Sequence, residues 1–370
     1  MKGSVMIIRT VVRHGRRMWE LDNGALTLAI AVGGGHLAEL RLAVRPEVNP
    51  FWIPPWKSME PWSYRPPVHD RRYGEKLLAS ILGHNLCLSY FGPPSEEEKR
   101  QGLGTHGEAP VARWKALEKR ITKREIVFSC GCDLPLAGMR VIRQYRMKAD
   151  EPIAWVRSRF VNELRHDRPF TCCEHATFGS PFVEAGVTLF DMSATRGHTF
   201  PGAFSDRPRV VANASFDWPL APGVSGGTVD LRTLAPNCSD FTAQLMDPAR
   251  EQAWMGAVHP RLGLAVVYAW PRRDYPWLGN WEEHHARQNP PWNGKTVTRG
   301  MEFSNSPFPE GLRKAVDRGS LFGEKTFQWL PARGSVETEF VLTAVPVGPD
   351  CQGIRDVRYD RSEGITILWR

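Results

Sequence analysis

Apolar and polar residues alternate nearly one for one through many short runs of this chain. Residues 139–147 and 153–161 place charged or amide side chains at alternate positions, and 112–117, 262–270 and 338–345 are further runs of strand length. A period of two puts one face of a strand against a core and leaves the other wet, the pattern of antiparallel sheets. Helical periodicity is sparse. Glu96–Gln101, following Pro93-Pro94-Ser95, is predicted as one short capped helix. The pattern therefore predicts one large all-β domain across residues 1–370, with no linker and no internal repeat.

Turn chemistry agrees. Asn23-Gly24 lies between alternating segments in 19–30, a strong hairpin signal. Gly33-Gly34-Gly35-His36 precedes the run 37–42. It lacks the Lys-Ser/Thr of a phosphate loop and the spacing of a dinucleotide fingerprint, so it predicts a tight turn between strands. Residues 49–76 read as a long irregular stretch rich in proline and carrying Trp52, Trp56, Trp62, Tyr64 and Tyr73. Its aromatic content argues for an ordered loop, either over a pocket or plugging one end of a sandwich.

Composition narrows the classes. Across 370 residues, 42% hydrophobic and 24% charged content is that of a globular chain, and 30 prolines favour short strands and irregular loops. The net charge of +8 speaks to a basic surface. Its densest cluster, Arg9, Arg13, Arg16 and Arg17, sits in a strand and its following turn, which argues against a nucleic-acid partner. Seven cysteines without a C-x-x-C spacing predict free buried thiols in a reducing cytoplasm. The segment Met1–Arg9 has no apolar core of signal-peptide length, and no run is long enough to span a membrane.

Three segments carry chemistry. Glu302 is a lone carboxylate in an apolar run, 299–303, that ends at Ser306-Pro307-Phe308-Pro309. Burying a carboxylate costs several kcal/mol unless it is paired, so a strand seldom holds one idly. His106 is flanked by glycines, with Gly107 directly after it. His175 follows Glu174 and precedes Ala176-Thr177-Phe178-Gly179. A part-buried imidazole titrates in a useful range. Any one of the three is more often structural than functional. Together they are the parts needed for proton transfer at both ends of one substrate.

In this order, His106-Gly107, His175 with Phe178, and Glu302 with Phe308-Pro309 resemble the galactose mutarotase-like family, the aldose 1-epimerases and their relatives. Residues 83–92, just before His106, and Trp114, just after it, add to the likeness, which covers roughly residues 18 to 345. The resemblance implies a β-supersandwich of large antiparallel sheets with the active site on a concave face. It implies a monosaccharide or sugar derivative as substrate and interconversion of its α and β anomers. Glu302 would take the proton of the anomeric hydroxyl, His175 would protonate the ring oxygen, and His106 would position the sugar. That chemistry requires no metal or redox cofactor.

The chain also departs from that family. Well-known mutarotases grip sugar hydroxyls with an Arg upstream of the first His and an Asp between the second His and the Glu, and neither has a clear counterpart here. His84 and Asn85 are the candidates for the first role. Trp281 and Trp292 are candidates for a platform under the apolar face of a sugar, although either ring is as readily core. Two other readings compete. A carbohydrate-binding or sensor protein can use the same scaffold without turnover. A metal site from Glu282, Glu283, His284 and His285 has the right donors, but neighbours on a strand point to opposite faces and seldom chelate one ion.

Overall fold

The computed structural model describes residues 6–370. Residues 1–5, and with them part of the Met1–Arg9 segment considered above, lie outside the described residues. Strands account for 49% of the chain and helices for 9%. The expected all-β sandwich of large antiparallel sheets is what forms.

Two sheets make the body. The ten-stranded sheet runs, in spatial order, Thr228–Asp230, Leu220–Pro222, Ser215–Asp217, Ala194–Thr199, Ser239–Met246, Trp277–His284, Val297–Ser304, Arg168–Gly179 and Gln328–Leu330, and Asn85–Ser89 also pairs with Arg168–Gly179. The eight-stranded sheet runs Leu189–Met192, Gln252–His259, Leu264–Pro271, Ser335–Pro346, Ile153–Asn162, Met139–Lys148, Glu125–Leu134 and Lys115–Ile121. Their inner faces share one core. Phe303 of the first sheet stacks on Trp270 of the second with centroids 4.4 Å apart, and Phe178, Met301, Tyr268 and Phe340 belong to the same buried cluster.

The N-terminal strands Ile7–Arg13, Arg16–Asp22, Leu26–Ala31 and Leu37–Leu42 form a separate four-stranded sheet. The Asn23-Gly24 hairpin is present. Asn23 Oδ1 accepts from the N–H groups of Ala25 and Leu26, and its Nδ2 donates to the carbonyls of Lys148 and Glu151. The glycine triplet makes the expected turn between two strands. The arginine cluster meets carboxylates: Arg9 and Arg13 pair with Glu20, Arg13 also with Glu39, and buried Arg16 with Glu60 at 3.0 Å.

Two expectations need correction. Residues 49–76 are not wholly irregular. They hold a 3₁₀ turn, Pro61–Ser63, and an α-helix, Pro66–Tyr73, whose prolines fall in the first turn, where a missing N–H costs nothing. The run expected as a strand from 112 becomes one only from Lys115, with Arg113 before it making an isolated bridge to Gly33. The short helix Glu96–Arg100 forms as expected. Ser95 Oγ accepts the Glu98 N–H, and the Glu98 carboxylate accepts the Ser95 N–H.

Between the sheets lies a buried ionic group. Glu174 pairs with Arg143, accepts from His84 Nε2 at 2.8 Å, and accepts from the Tyr275 hydroxyl at 3.2 Å. Burial alone would push this carboxyl up. The Arg143 charge and the His84 hydrogen bond outweigh burial and hold it below the ordinary 4.5. The stabilisation from such a group is complete above pH 4.5 and is lost as pH falls below it. Removing the carboxylate leaves Arg143 buried and unpaired. Glu174→Gln is therefore expected to lower the unfolding free energy by about 3–5 kcal/mol at neutral pH, and to flatten the acid limb of the stability curve. Guanidinium melts of both forms between pH 3 and 7 measure this, and coincident midpoints at pH 7 would overturn the assignment.

Candidate functional site

A cross-strand row builds the site. Asn85, His175, Glu302, Gly279 and Ala243 are direct partners across five neighbouring strands, so all five project from one face of the ten-stranded sheet. One step along lies the row Thr177, Gly300, Trp281 and Phe241. Small residues beside large ones leave a hollow. A side chain at Gly279 would strike the Phe241 ring, and a methyl at Gly300 would overlap Glu302 Oε1. The missing side chains give the carboxyl its place.

The hollow is a cavity of about 300 Å³, at the lower end of the range for small-molecule sites. Glu302, His175 and His106 line it together with Trp281 and Trp292, so five of the seven residues singled out from the sequence meet there. Much of the remaining wall is apolar, including Leu77, Leu78 and Ile81, Phe204 and Phe241.

His175 Nε2 and Glu302 Oε1 are 3.0 Å apart, both side chains nearly sealed from solvent at 6% and 2% exposure. They lack the alignment of a hydrogen bond, and Oε1 has no partner. Burial drives the two groups in opposite senses. It lowers the imidazole well below 6.5, assisted by the charge of His106, and raises the carboxyl well above 4.5, with Arg287 opposing. Both shifts favour the uncharged forms, the neutral imidazole and the protonated carboxyl. Thr177 fixes the tautomer. Its hydroxyl donates to the His175 carbonyl at 3.4 Å and accepts from His175 Nδ1 at 2.8 Å. That leaves the Nε2 lone pair facing Glu302.

His106 occupies a tight turn with φ 66°. Its N–H donates to the Gly92 carbonyl at 2.7 Å, and its Nδ1 accepts the Gly92 N–H at 3.1 Å, which keeps the ring proton on Nε2. The ring stacks on Phe91 and meets His175 edge-on, with centroids 5.2 Å apart. Gly107 is required next. It has φ 79°, and a Cβ there would run into the Leu88 carbonyl.

Two of the residues singled out from the sequence lie outside the cavity lining. His84 is in the core, bonded to Glu174 and to the Tyr268 hydroxyl at 3.1 Å, and so is not a sugar-gripping residue. Asn85, its neighbour on the strand, faces the other way. It ends the row beside His175, is fully buried, and leaves Nδ2 without a partner. The aromatic loop contributes backing: Trp52 stacks on Trp292 at 5.9 Å, and Trp56 meets the same ring edge-on.

Sequence reading missed Arg287. Its guanidinium lies 4.8 Å from the Trp292 centroid and 5.4 Å from that of Trp281, in the cavity wall. Glu283 Oε2 is 3.3 Å from Nε but accepts no hydrogen bond, so the fork of donors is not spent on it. Burial lowers this arginine, against the charges of Glu283 and Glu302. The four-residue metal reading does not assemble. Glu282 pairs with Arg209 and Arg299, whereas Glu283, on the opposite face, accepts the N–H groups of Ala286 and Arg287. Among the described residues, Cys238, Asp240 and Glu282 do approach one another, but the two arginines already neutralise that group.

The architecture matches solved structures over nearly its whole length. A galactose mutarotase-like protein from Clostridium acetobutylicum superposes with a TM-score of 0.60 at 12% identity, covering 92% of this chain and 99% of that one. The fold is galactose mutarotase-like. A protein provisionally named an aldose 1-epimerase, from Klebsiella pneumoniae, gives a TM-score of 0.68 at 13% identity over 92% of this chain and 84% of its own. A galactose mutarotase related enzyme from Lactobacillus acidophilus gives 0.54 at 14% identity over 90% and 98%. No protein-family model and no curated protein matches the sequence. Among the described residues, no helix of this mutarotase-like fold is long and apolar enough to cross a membrane.

The space at Gly300 gives a direct test. Gly300→Ala is expected to push the Glu302 carboxyl off His175 Nε2 at a cost of about 1–3 kcal/mol in stability. A crystal structure of the variant and the ¹⁵N shift of the His175 ring report the displacement. A carboxyl still within hydrogen-bond distance of Nε2 would refute the packing argument.

Proposed function

We propose that this protein interconverts the α and β anomers of an aldose by acid–base ring opening. The observation that carries the reading is the His175–Glu302 pair, 3.0 Å apart in a largely apolar cavity, with one ionisable group pushed up and the other down. The match in fold to proteins named as mutarotases supports it.

The pair holds one proton in its resting state. Once the carboxyl turns to align with Nε2, moving that proton from Glu302 to His175 yields a carboxylate and an imidazolium without exchange with solvent. The carboxylate then takes the anomeric hydroxyl proton as the C1–ring-oxygen bond breaks. The electrons of that bond go to the ring oxygen, which takes the Nε2 proton, and an open-chain aldehyde results. Rotation about C1–C2 presents the other carbonyl face, and the reverse transfers close the ring. His106 Nε2–H and the Arg287 fork offer donors to hydroxyls, and Trp281 and Trp292 offer faces to the C–H surface of the sugar. Thr177 is a positioning residue. The seven free cysteines, six of them buried, support a reducing, cytoplasmic setting.

Removing either proton carrier is expected to slow anomer exchange by about 10²–10⁴-fold. Glu302→Gln and His175→Asn, assayed by polarimetry or NMR exchange on freshly dissolved glucose and galactose, measure it. Exchange retained in both variants rejects the acid and base assignment. Wild-type protein that binds sugar without exchanging it selects the carbohydrate-binding alternative.

The rate should follow the singly protonated pair. The low imidazole places the acid limb below pH 6.5, and the high carboxyl places the alkaline limb far above pH 4.5. The expected profile has its acid limb moved below the ordinary imidazole range and its alkaline limb moved above the ordinary carboxyl range. A rate that rises through an ordinary imidazole titration near 6.5 would contradict the assigned resting state.

A further inference from the structure

We infer that Cys87 and Cys173 form a thiol pair that reacts with small hydroperoxides, Cys87 attacking the peroxide and Cys173 then closing a disulfide with it. The inference is independent of the epimerase reading, because no sugar takes part.

Cys87 and Cys173 are direct partners across the antiparallel strands Asn85–Ser89 and Arg168–Gly179. Cα atoms so opposed lie about 4.5–5.5 Å apart, within the span of about 4.4–6.8 Å that a disulfide bridges. Both residues stand two positions from the Asn85–His175 row and so share its face of the sheet. They belong to one buried cluster with Phe91, Phe241 and Trp281. Cys172, next in the chain, turns the other way, into the core between the sheets.

The two thiols are unequal. Burial alone would push Cys87 up, but the adjoining Cys173 thiol and the His106 ring outweigh it and bring Cys87 below its ordinary value. Burial and the proximity of Cys87 push Cys173 well up. Cys87 is thus the sulfur that carries charge, and Cys173 the one that keeps its proton. That asymmetry separates an attacking sulfur from a resolving one. Elsewhere burial wins, and Cys130, Cys172 and Cys238 are all pushed up. Asn85 adds a donor. Its fully buried amide lies 3.8 Å from Cys87 Sγ and leaves Nδ2 without a partner. Turned over, that amide donates to the thiolate.

His106 lines the cavity and adjoins Cys87, so a single ring separates the cavity from the sulfur. Hydrogen peroxide is small enough to pass once that ring swings aside, whereas a protein disulfide is not. The Cys87 thiolate attacks one peroxide oxygen. An S–O bond forms, the O–O bond breaks, and the departing hydroxide takes up the proton that Cys87 gave up. Cys173 then attacks the sulfenic sulfur. The S–S bond forms, the S–O bond breaks, and the Cys173 proton leaves in water. Two thiols are oxidised and one peroxide is reduced to two waters. The thiolate beside His106 is lost in the process, so the redox state of the pair reaches a ring that faces the cavity.

The test exposes the wild-type chain to hydrogen peroxide, alkylates it while folded, and maps its peptides by mass spectrometry. A peptide joining Cys87 to Cys173 is expected, with two fewer free thiols than the seven of the reduced chain and full reversal by dithiothreitol. Cys173→Ser should stop at a sulfenic acid on Cys87 that dimedone traps, and Cys87→Ser should leave Cys173 reduced. His106→Asn should slow Cys87 oxidation about tenfold, the lost thiolate being partly offset by the greater nucleophilicity of a more basic thiol. A link between any other pair, dimedone on Cys173 in place of Cys87, or an undiminished rate in His106→Asn overturns the inference. So does a Cys87 still reduced once Cys351, the one cysteine that is not buried, has been oxidised. Where a variant fails to fold, the wild-type link decides.

Discussion

Residues 174 and 175 must face opposite sides of one strand, and most of the site follows from that. Glu174 turns inward to Arg143, His84 and Tyr275. His175 turns outward to Glu302. A slip of one residue would bury His175 against Arg143 and expel Glu174 into the cavity, leaving a guanidinium unpaired between the sheets. Register is strongly specified where one face is buried, and here an ion pair sharpens it. The core network and the cavity are thus two faces of one constraint. The inner ion pair need not add net stability to do this, because its cost appears when it is broken.

The same alternation explains which readings succeeded. Period-two runs made the sheets legible, and the Asn23-Gly24 and Ser95-to-Glu98 signals made a turn and a helix cap legible. His106, His175 and Glu302 were legible as an ordered set because each sits where its neighbours are small or apolar. His84 was misread as a stand-in for the sugar-gripping arginine that the family carries upstream of the first histidine. It lies one residue from Asn85, and only the pairing of Asn85 with His175 tells which of the two faces the site. The helix Pro66–Tyr73 carried its own signal, prolines at its first turn, but the density of prolines around it read as loop.

Arg287 had no sequence signature at all. An arginine in a polar segment after a strand reads as a solvated surface residue. Its role arises because the 277–284 strand delivers Trp281 on the cavity face and the following loop folds Trp292 back against Trp52. Between these rings a guanidinium can stack. Such a site needs residues 52, 281, 287 and 292 to meet, and no local pattern encodes that.

A largely apolar pocket imposes a particular order on the proposed chemistry. Separating charge between Glu302 and His175 in the empty cavity is opposed by burial of both groups. The attraction of the resulting ions at 3.0 Å offsets part of that penalty, since a close pair in a medium of low polarity interacts strongly. A sugar supplies the rest. Its anomeric hydroxyl can donate to the carboxylate and its ring oxygen can accept from the imidazolium, so the polar substrate stabilises the ionic form that acts on it. Thr177 then matters beyond packing, because it keeps the His175 proton on Nδ1 and leaves Nε2 able to receive the one from Glu302. Were the ring proton on Nε2 instead, the carboxyl would face a donor, and the transfer that starts ring opening would have no acceptor.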